Sequence, residues 1–416
     1  MRFSLLASLA SLALSRAASY GAFNDPWSFD LAYGPYNNWM QYIADGTSLA
    51  SLTIPGTHNS MNTHIGDELL QSQNTPLAYQ LTGGVRYIDI SCTTIDGNLM
   101  VTHGGAQTGF TFDHVLTTIY DFLDANSREA VILRIQKGNS LESTSLFASQ
   151  IRKSLSPGTA LGNRAAQRVF SRGSSSIAAI PTLGEVRGKV FILQDFDTKS
   201  GQFGLPWSSR LVSYYHFKFG LRPLLAAKWI AVQTYLTVSL NSPEKLYVTD
   251  VTVSVGSKPI TFAAGPHDNP GINARLGGYL QTAKSSSLGN FFLGNNRGYF
   301  GIIVMDFPGK SVVEQILKFN KRYEVIPPGV SVPNYGFPPA PNHGFPTNNG
   351  FPPNNGFPPN NGFPPAPNNG FPPAPNNGFP PAPNNGFPPV PNYGAAYAHG
   401  AYPAAGNYRD PTNPQN

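Results

Sequence analysis

Cysteine and long apolar runs are almost absent from this chain. Cys92 is the only cysteine in 416 residues, so no disulfide can form within the chain and the fold must rest on an apolar core. No apolar stretch is long enough for a transmembrane helix. The chain also lacks a run of lysine and arginine, which argues against a nucleic-acid partner although the formal net charge is +6. Cys92 follows an apolar segment and is predicted to be a buried small hydrophobe rather than a reactive thiol.

The N-terminus has the order of an export signal. Arg2 supplies a positive charge, residues 3–14 are apolar, and Ala17 and Ala18 are small residues suited to cleavage. We therefore predict that residues 1–18 are removed, that the mature chain begins near Ser19, and that the protein is secreted. A buried N-terminal helix is the alternative interpretation.

Proline and glycine are concentrated near the C-terminus. From about residue 334 to residue 394 the chain repeats Asn-Asn-Gly-Phe-Pro-Pro, often with Ala-Pro inserted. Proline at this density removes backbone donors and fixes φ, which excludes helices and sheet ladders. We predict that residues 326–416 form a disordered, partly polyproline-II tail. The tail either binds the cell wall, itself or a proline-binding partner, or it serves only as a spacer.

The chain between these ends has the pattern of an α/β domain. Residues 19–47 are rich in aromatic side chains and are predicted to be a lead-in that packs on it. From 48 to 325, β-branched apolar segments alternate with amphipathic ones. Strands are predicted at 48–55, 85–91, 99–102, 130–136, 190–195, 246–255 and 301–307, and helices at 39–43, 112–123, 144–155, 272–280 and 312–321; residues 59–73 are predicted to be a loop that runs into a helix. This alternation predicts a distorted (β/α) barrel of the TIM type.

Two histidines follow predicted strands. His58 comes just beyond the break at Pro55-Gly56, and His103 follows the strand at 99–102. Because the carboxyl ends of parallel strands meet at one rim, where ligands collect, these side chains are expected to lie close together. Two imidazoles with acids nearby suit acid–base chemistry. The candidate site residues at this rim are His58, Asn59, Asp89, Ser91, His103, Gln136, Asp195 and Asp306.

Other interpretations of these residues remain open. A zinc site built from the two histidines and an acid is possible, but no His-x-x-His spacing supports it. Asp89 and Asp306 lie in apolar strands, so each either serves the site or forms a buried structural ion pair with a distant cation. His64 and His114 are predicted to be surface or helix-face residues.

Six segments carry a resemblance to a known family. They are residues 52–61 (LTIPGTHNSM), 80–92 (QLTGGVRYIDISC), 99–104 (LMVTHG), 129–136 (EAVILRIQ), 181–195 (PTLGEVRGKVFILQD) and 301–307 (GIIVMDF). In this order, over roughly residues 38–325, they resemble the X domain of phosphatidylinositol-specific phospholipase C, in its secreted, bacterial-like form. The segments are specific as a set, although each is short.

The resemblance implies an activity and a role for several residues. A distorted TIM barrel would cleave phosphatidylinositol-type or glycosyl-phosphatidylinositol-type lipids at a membrane surface. His58, oriented by Asp306, would deprotonate the inositol 2-hydroxyl, which then attacks phosphorus, and His103 would protonate the departing diacylglycerol oxygen. Asp89 would support the phosphate end of the site. The aromatic stretch 200–235 would supply a ring that stacks on the sugar.

Three positions depart from the pattern of the family. Where metal-independent members have an aspartate, an arginine and a lysine, this chain has Asn59, Ser91 and Gln136. Calcium-dependent members also have an asparagine after the histidine, but they add acids at the other two positions. A calcium ion here would find one carboxylate, that of Asp89, so at most a weak site is expected and no cofactor is predicted.

These departures keep two functions open. The residues predict either a secreted phosphodiesterase or a weak or inactive relative that binds inositol headgroups or cell-wall glycans. Losing one preorganised donor to a developing oxyanion lowers a rate about a hundredfold to a thousandfold, so the substitutions bear directly on activity. A purely structural wall protein is a third possibility, but it leaves the paired histidines unexplained.

Overall fold

The computed structural model describes residue 23 and residues 25–63, 67–171, 177–198, 201–215, 225–239, 244–252, 258–265, 269–285 and 299–323. The chain divides into two units, Met1–Val330 and Ser331–Asn416, and every described residue belongs to the first. The predicted signal and the predicted tail lie outside the described residues, as does His64.

Eight parallel strands form the framework of the described unit. They follow one another around the sheet in chain order, and the last pairs with the first. The strands are β1 (Thr53–Thr57), β2 (Tyr87–Ile95), β5 (Val131–Lys137), β6 (Val190–Asp195), β7 (Leu205–Pro206), β8 (Val212–Tyr215), β9 (Leu246–Asp250) and β10 (Gly301–Met305). No pairing among the described residues joins β7 to β8, so the barrel is open at that seam. The predicted TIM-type barrel is therefore confirmed, with an open seam as its distortion.

A hairpin extends β2 beyond the barrel. Strands β3 (Asn98–His103) and β4 (Ala106–Thr111) pair antiparallel with β2 and with each other. Gly104 and Gly105 form the turn with φ of 56° and 85°, a backbone region that glycine enters without strain. The hairpin places His103 at its tip, beside the carboxyl rim of the barrel.

Helices connect the strands and cover the outside of the barrel. They are α1 (Leu77–Thr82), α2 (Phe112–Ala125), α3 (Thr144–Leu155), α4 (Ala160–Arg168), α5 (Leu183–Val186), α6 (Leu225–Ser239), α7 (Pro259–Ala264), α8 (Ile272–Ser285) and α9 (Lys310–Leu317). Short 3-10 turns occupy Leu31–Tyr33, Leu49–Ser51 and Lys318–Tyr323. Within the described part of the chain, none of these helices has both the length and the apolar character needed to cross a bilayer.

The alternation of side chains along the strands separates two layers. Residues such as Ile88 and Ile90 pack outwards against the helices in one apolar cluster. A second apolar cluster fills the interior of the barrel below the carboxyl rim and includes Ile54, Tyr87 and Ile302. Buried Cys92 belongs to the first cluster, which confirms its prediction as a small hydrophobe. The period of two that separates these layers also aims the polar residues near each strand's carboxyl end into the barrel.

The first strand differs from its prediction. The apolar run was expected to break at Pro55-Gly56, but β1 continues through both residues to Thr57, and His58 follows directly. The carbonyl of Pro55 accepts a hydrogen bond from the amide of Arg86, so this edge of Pro55 faces β2. Pro55 has no N–H to donate on that edge, but the ladder between β1 and β2 begins only at Gly56. A proline is tolerated there because it removes no existing ladder bond.

Several other boundaries were also wrong. The predicted helix at 39–43 consists of turns, and the described residues of 59–73 contain no helix. The predicted strand at 246–255 ends at Asp250, and the strand before Asp306 ends at Met305. The last predicted helix, at 312–321, is α9 followed by the 3-10 turn, and β4, α4 and α6 had no predicted counterpart. Local patterns do not fix such ends, because tertiary contacts compete with propensity there.

Candidate active site

His58 and Asp306 occupy the ends of two adjacent strands. Nδ1 of His58 lies 3.0 Å from Oδ1 of Asp306, and the two side chains are 20% and 2% exposed. The register of β1 with β10 ends at Thr57 and Met305, so both residues are the first beyond their strands. The carboxylate therefore fixes the ring orientation and favours a proton on Nδ1, which leaves Nε2 facing the pocket.

The second histidine faces the first across Asn59. The ring centres of His58 and His103 are 6.0 Å apart, at an angle of 85°. Nδ2 of Asn59 lies 2.8 Å from Nε2 of His58 and 3.5 Å from Nε2 of His103. An amide can donate to a neutral imidazole or, after rotation, accept from a protonated one. Asn59 therefore serves as a partner for His58 in both of its protonation states.

Left-handed backbone turns follow both strand ends. Asn59 has φ of 42° and Phe307 has φ of 45°. Asparagine adopts this region readily, whereas a buried phenylalanine does so at a cost of order 1–3 kcal/mol, which the surrounding structure must offset. The side chain of Asn273 donates to the carbonyls of Asp306 and Phe307 at 3.0 Å and 3.3 Å and holds the second turn.

A buried glutamine joins the two strand ends. Nε2 of Gln73 donates to the carbonyl of His58 at 2.8 Å and to that of Met305 at 3.0 Å. The amide of Phe307 donates to the carbonyl of Ser72 in the same loop. The loop at 59–73, which was predicted to run into a helix, instead holds the ends of β1 and β10 together through Ser72 and Gln73. It therefore sets the spacing between His58 and Asp306.

The two imidazoles differ in their affinity for a proton. Burial opposes the charge on His58, but the Asp306 carboxylate, with Asp250 and Asp89 farther away, outweighs it and raises the pKa of His58 to about 9. Burial, with a smaller contribution from His58, lowers the pKa of His103 to about 4. In the substrate-free protein at neutral pH the proton therefore resides on His58.

Asp306→Asn is expected to reverse most of the shift at His58. Burial persists while the opposing charge is removed, so the pKa of His58 should fall from about 9 to its ordinary 6.5 or below. A raised pKa stabilises the fold below pH 6.5, and that stabilisation is lost as the pH rises through 9. NMR titration of the histidine ring protons measures the pKa, with His114→Asn as the control. A titration near pH 9 in both native protein and Asp306→Asn would contradict the pairing.

A chain of polar groups lies beside the histidines. Oδ1 of Asp89 accepts the amide of Gln136 at 2.7 Å, and Oδ2 faces Arg134 at 3.4 Å. Arg134 also donates to Oδ2 of Asp195, at 2.6 Å and 3.2 Å. Burial opposes the charge on Arg134, but its aspartates keep the pKa of the guanidinium well above its ordinary value. Asp89 thus forms a buried ion pair, which was one of the two alternatives open for it in the sequence. Its partner, Arg134, lies inside the site.

Aromatic rings cover the outer side of this cation. The guanidinium carbon of Arg134 lies 3.9 Å from the ring centre of Trp207 and 5.2 Å from that of Tyr214. The hydroxyl of Tyr214 donates to Oδ2 of Asp250 at 3.0 Å. Rings beside charged and hydroxyl groups form a surface suited to a polyhydroxylated ring, which has both apolar faces and polar edges.

Ser91 lies next to Gln136 in the register of β2 and β5. A Cβ atom built on Gly138 would lie 2.6 Å from Oγ of Ser91 and 2.8 Å from Oγ1 of Thr102. The backbone of Gly138 therefore passes directly over these hydroxyls. Neutral hydroxyl and amide groups, rather than a cation, therefore occupy this part of the rim.

The residues considered for a metal already contact other groups of the site. Each oxygen of Asp89 already faces a nitrogen donor, and Asn59 turns its amide towards the histidines. Among the residues that the structure describes, no three His, Cys, Asp or Glu side chains converge as metal ligands. The donors of the weak calcium site thus have partners that a cation would have to displace.

All eight predicted site residues lie around the carboxyl rim, but sequence reasoning missed four further contributors. These are Arg134, Trp207, Tyr214 and Asp250. One signal was available for Arg134, because a charge between Leu133 and Ile135 in a buried strand shares its face with Gln136. The aromatic stretch 200–235 did contain both rings, but nothing in its pattern singled them out.

Comparisons with known proteins point to phosphatidylinositol-specific phospholipases C. The family model for "Phosphatidylinositol-specific phospholipase C, X domain" matches residues 52–195. The "1-phosphatidylinositol phosphodiesterase" of Listeria monocytogenes serovar 1/2a is 28% identical over 306 residues, which cover 68% of this chain and 84% of that protein. A Staphylococcus aureus protein (strain Newman) with the same name is 23% identical, and the matched region covers 68% of this chain and 94% of that protein.

A solved structure supports the same assignment. The phosphatidylinositol-specific phospholipase C from Listeria monocytogenes superposes with a TM-score of 0.57 and 26% identity, over 68% of this chain and 98% of that one. Its likeness extends across the whole barrel, beyond the segment that the family model matches. Residues 52–195 therefore match the phosphatidylinositol-specific phospholipase C X domain, and the barrel resembles that of a bacterial member of this family.

Proposed function

We propose that this protein is a phosphodiesterase that cleaves phosphatidylinositol-type lipids, including glycosylated forms. The observation that carries the proposal is the pair of facing imidazoles, one of which is held by the buried Asp306. Two histidines at this spacing can serve one phosphodiester as base and acid. The names of the relatives, which act on phosphatidylinositol, support the substrate class.

The proposed reaction is an intramolecular displacement at phosphorus. Nε2 of His58 takes the proton of the inositol 2-hydroxyl as that oxygen bonds to phosphorus. The bond from phosphorus to the diacylglycerol oxygen breaks, and His103 gives that oxygen its proton. The products are diacylglycerol and inositol 1,2-cyclic phosphate, and the proton has moved in effect from His103 to His58. Asp306 stabilises the imidazolium that forms at His58.

Substrate binding has to redistribute the proton between the histidines. The free protein holds it on His58, whereas cleavage starts with it on His103. An anionic phosphodiester next to His103 raises the pKa of that imidazole, because an opposite charge favours the protonated form. Asn59 contacts both rings and can follow the change by rotating its amide.

The chain of polar groups is proposed to hold the inositol ring. Asp89, Gln136 and Asp195 would bind its hydroxyl groups and the phosphate end, while Trp207 and Tyr214 offer their rings as a stacking surface. Arg134 is already neutralised by two aspartates, so it orients these carboxylates rather than meeting the phosphate unpaired.

Release of inositol 1,2-cyclic phosphate from phosphatidylinositol vesicles tests the activity. We expect cleavage in the presence of a calcium chelator and a change of less than twofold when calcium is added, because Asp89 already has its partners. Product formation is measured by ³¹P NMR, which separates the cyclic product from inositol 1-phosphate. A calcium requirement would overturn the metal-free proposal, and no turnover under either condition would leave the activity unsupported.

A binding protein without turnover is the second candidate. The observation that favours it is the neutral character of Ser91 and Gln136, which leaves the phosphate end without a cation at these two positions. Such a protein would bind inositol headgroups or wall glycans at the same rim and release no product. Secretion, and association of the tail with the wall or with itself, are proposed on sequence grounds alone.

A further inference from the structure

A fully buried lysine lies on the helix that packs against β9, the strand that ends at Asp250. Lys228 is the fourth residue of α6 and is 0% exposed. The buried residues of this helix are Lys228, Val232, Leu236 and Ser239, so a charged residue begins an inward stripe that is otherwise apolar or small. A helix face of this kind normally begins with another apolar side chain, and the lysine therefore needs a reason.

Among the described residues, no group accepts a hydrogen bond from the Lys228 side chain. Nζ of Lys228 is buried and unsatisfied in the part of the chain that the structure describes. The other fully buried cation, Arg86, contacts Glu129 at 2.8 Å and donates to four backbone carbonyls. Arg86 is thus a structural ion pair, whereas Lys228 has no such contacts. A buried charge without a partner lowers the stability of the fold. The positive end of the helix dipole, at the first turn, adds a further unfavourable interaction with a cation.

Two carboxylates of the site offset this cost from a distance. Helix α6 packs on β9, whose last residue is Asp250. Burial lowers the pKa of Lys228, and the charges of Asp250 and Asp306 oppose that shift. The charges of both aspartates therefore reach Lys228 through space, and the charge of Lys228 acts on them in return.

The charges of the pocket explain why such a cation is useful. Its carboxylates are Asp89, Asp195, Asp250 and Asp306, and Arg134 already contacts two of them. When His58 is neutral and His103 carries the proton, as the proposed reaction requires, the four aspartates still outnumber Arg134 and His103 among the described residues and repel an incoming phosphodiester. Ser91 and Gln136 supply no positive charge to offset this repulsion.

We propose that Lys228 is the positioning residue that allows this carboxylate-rich pocket to bind a phosphate anion. It acts through space on the charge balance around Asp250 and Asp306 and does not touch the substrate. The inference rests on the proposed function for its ligand, an inositol phosphate, but it concerns a residue on a helix outside the barrel. It also predicts a distinctive pattern: loss of Lys228 should affect anionic ligands and spare neutral ones.

Lys228→Met tests this pattern with two ligands that differ only in charge. We expect the dissociation constant of inositol 1-phosphate to rise about tenfold, equivalent to about 1.4 kcal/mol, and that of myo-inositol to change less than twofold. Binding is followed by the ring signals of His58 and His103 in NMR titrations, which need no turnover. Lys153→Met, a change at an exposed lysine of α3, should leave both constants unaltered.

Stability and a second variant separate this role from a structural one. Removing an unsatisfied buried amine should leave the free energy of unfolding unchanged or higher in Lys228→Met, and Lys228→Gln should show the same change in the ratio of the two constants. An equal loss of affinity for both ligands, which leaves the ratio of the two dissociation constants unchanged, would overturn the inference. So would a native protein that binds neither ligand. If native protein cleaves phosphatidylinositol while the ratio is unchanged, only the inference on Lys228 fails; if it binds both ligands without cleavage, only the proposed activity fails.

Discussion

Replacing His58 or His103 with alanine is expected to lower kcat for phosphatidylinositol cleavage by about a thousandfold in each case. Each change removes one of the two groups that transfer a proton in the proposed reaction, and a positioned acid or base contributes about 10²–10⁴ to a rate. The two losses should not add in the double variant, because both groups act in one concerted displacement. Initial rates on phosphatidylinositol vesicles measure the effect.

The third described histidine provides the matched control. His114 is exposed on α2, where its ring stacks on Phe110 with centres 5.0 Å apart. His114→Ala should retain at least half of the native rate, because it lies on the outer helix layer. If His58→Ala keeps more than a tenth of the native rate while binding inositol 1-phosphate normally, the base must be another group and the proposed mechanism is wrong.

Arg134→Met is expected to cost about 3–5 kcal/mol of unfolding free energy and to abolish measurable cleavage. Removing one partner of a buried ion pair leaves the other charge without its counter-ion, and here the guanidinium serves both Asp89 and Asp195. The side chains of Arg134 and Asp89 are only 9% and 1% exposed, so water cannot compensate for the loss at Asp89. Urea denaturation at pH 7 measures the difference.

A second arginine tests whether burial is the cause. Arg164 also contacts two aspartates, Asp121 and Asp124, but its side chain is 31% exposed and theirs are 65% and 48% exposed. Arg164→Met should therefore cost less than about 1 kcal/mol, the usual range for surface pairs. Similar losses of unfolding free energy in the two variants would show that Arg134 stabilises the fold no more than a surface salt bridge does.

The local pattern of the chain was sufficient for much of the fold. Strand segments such as 130–136 and 190–195 were predicted within about one residue, because a buried parallel strand is a short apolar run that needs no partner to be recognised. The end of β1 was wrong because Pro55 suggested a break. Only the pairing with β10 and β2 shows that its missing N–H is harmless there.

The partners of the charged residues were beyond local reasoning. Arg134 lies 45 residues from Asp89 and 61 residues from Asp195, and Asp306 lies 248 residues from His58. The resemblance to a family linked His58 with Asp306, but it had no counterpart for Arg134. Which side chains meet depends on the register of neighbouring strands, and that register is a property of the folded barrel.

The amino-acid sequence alone was enough to predict the barrel and to bring the two histidines together at its rim, and the resemblance to a family predicted departures from its pattern at Asn59, Ser91 and Gln136. These conclusions depend on residue type and spacing, which the chain carries before it folds. Only the tertiary structure showed that Asn59 joins the two rings, that Arg134 is shared by two aspartates, and that Lys228 is buried with no hydrogen-bond partner among the described residues. Charge interactions depend on distance and burial, and folding alone brings these groups together in a medium of low dielectric.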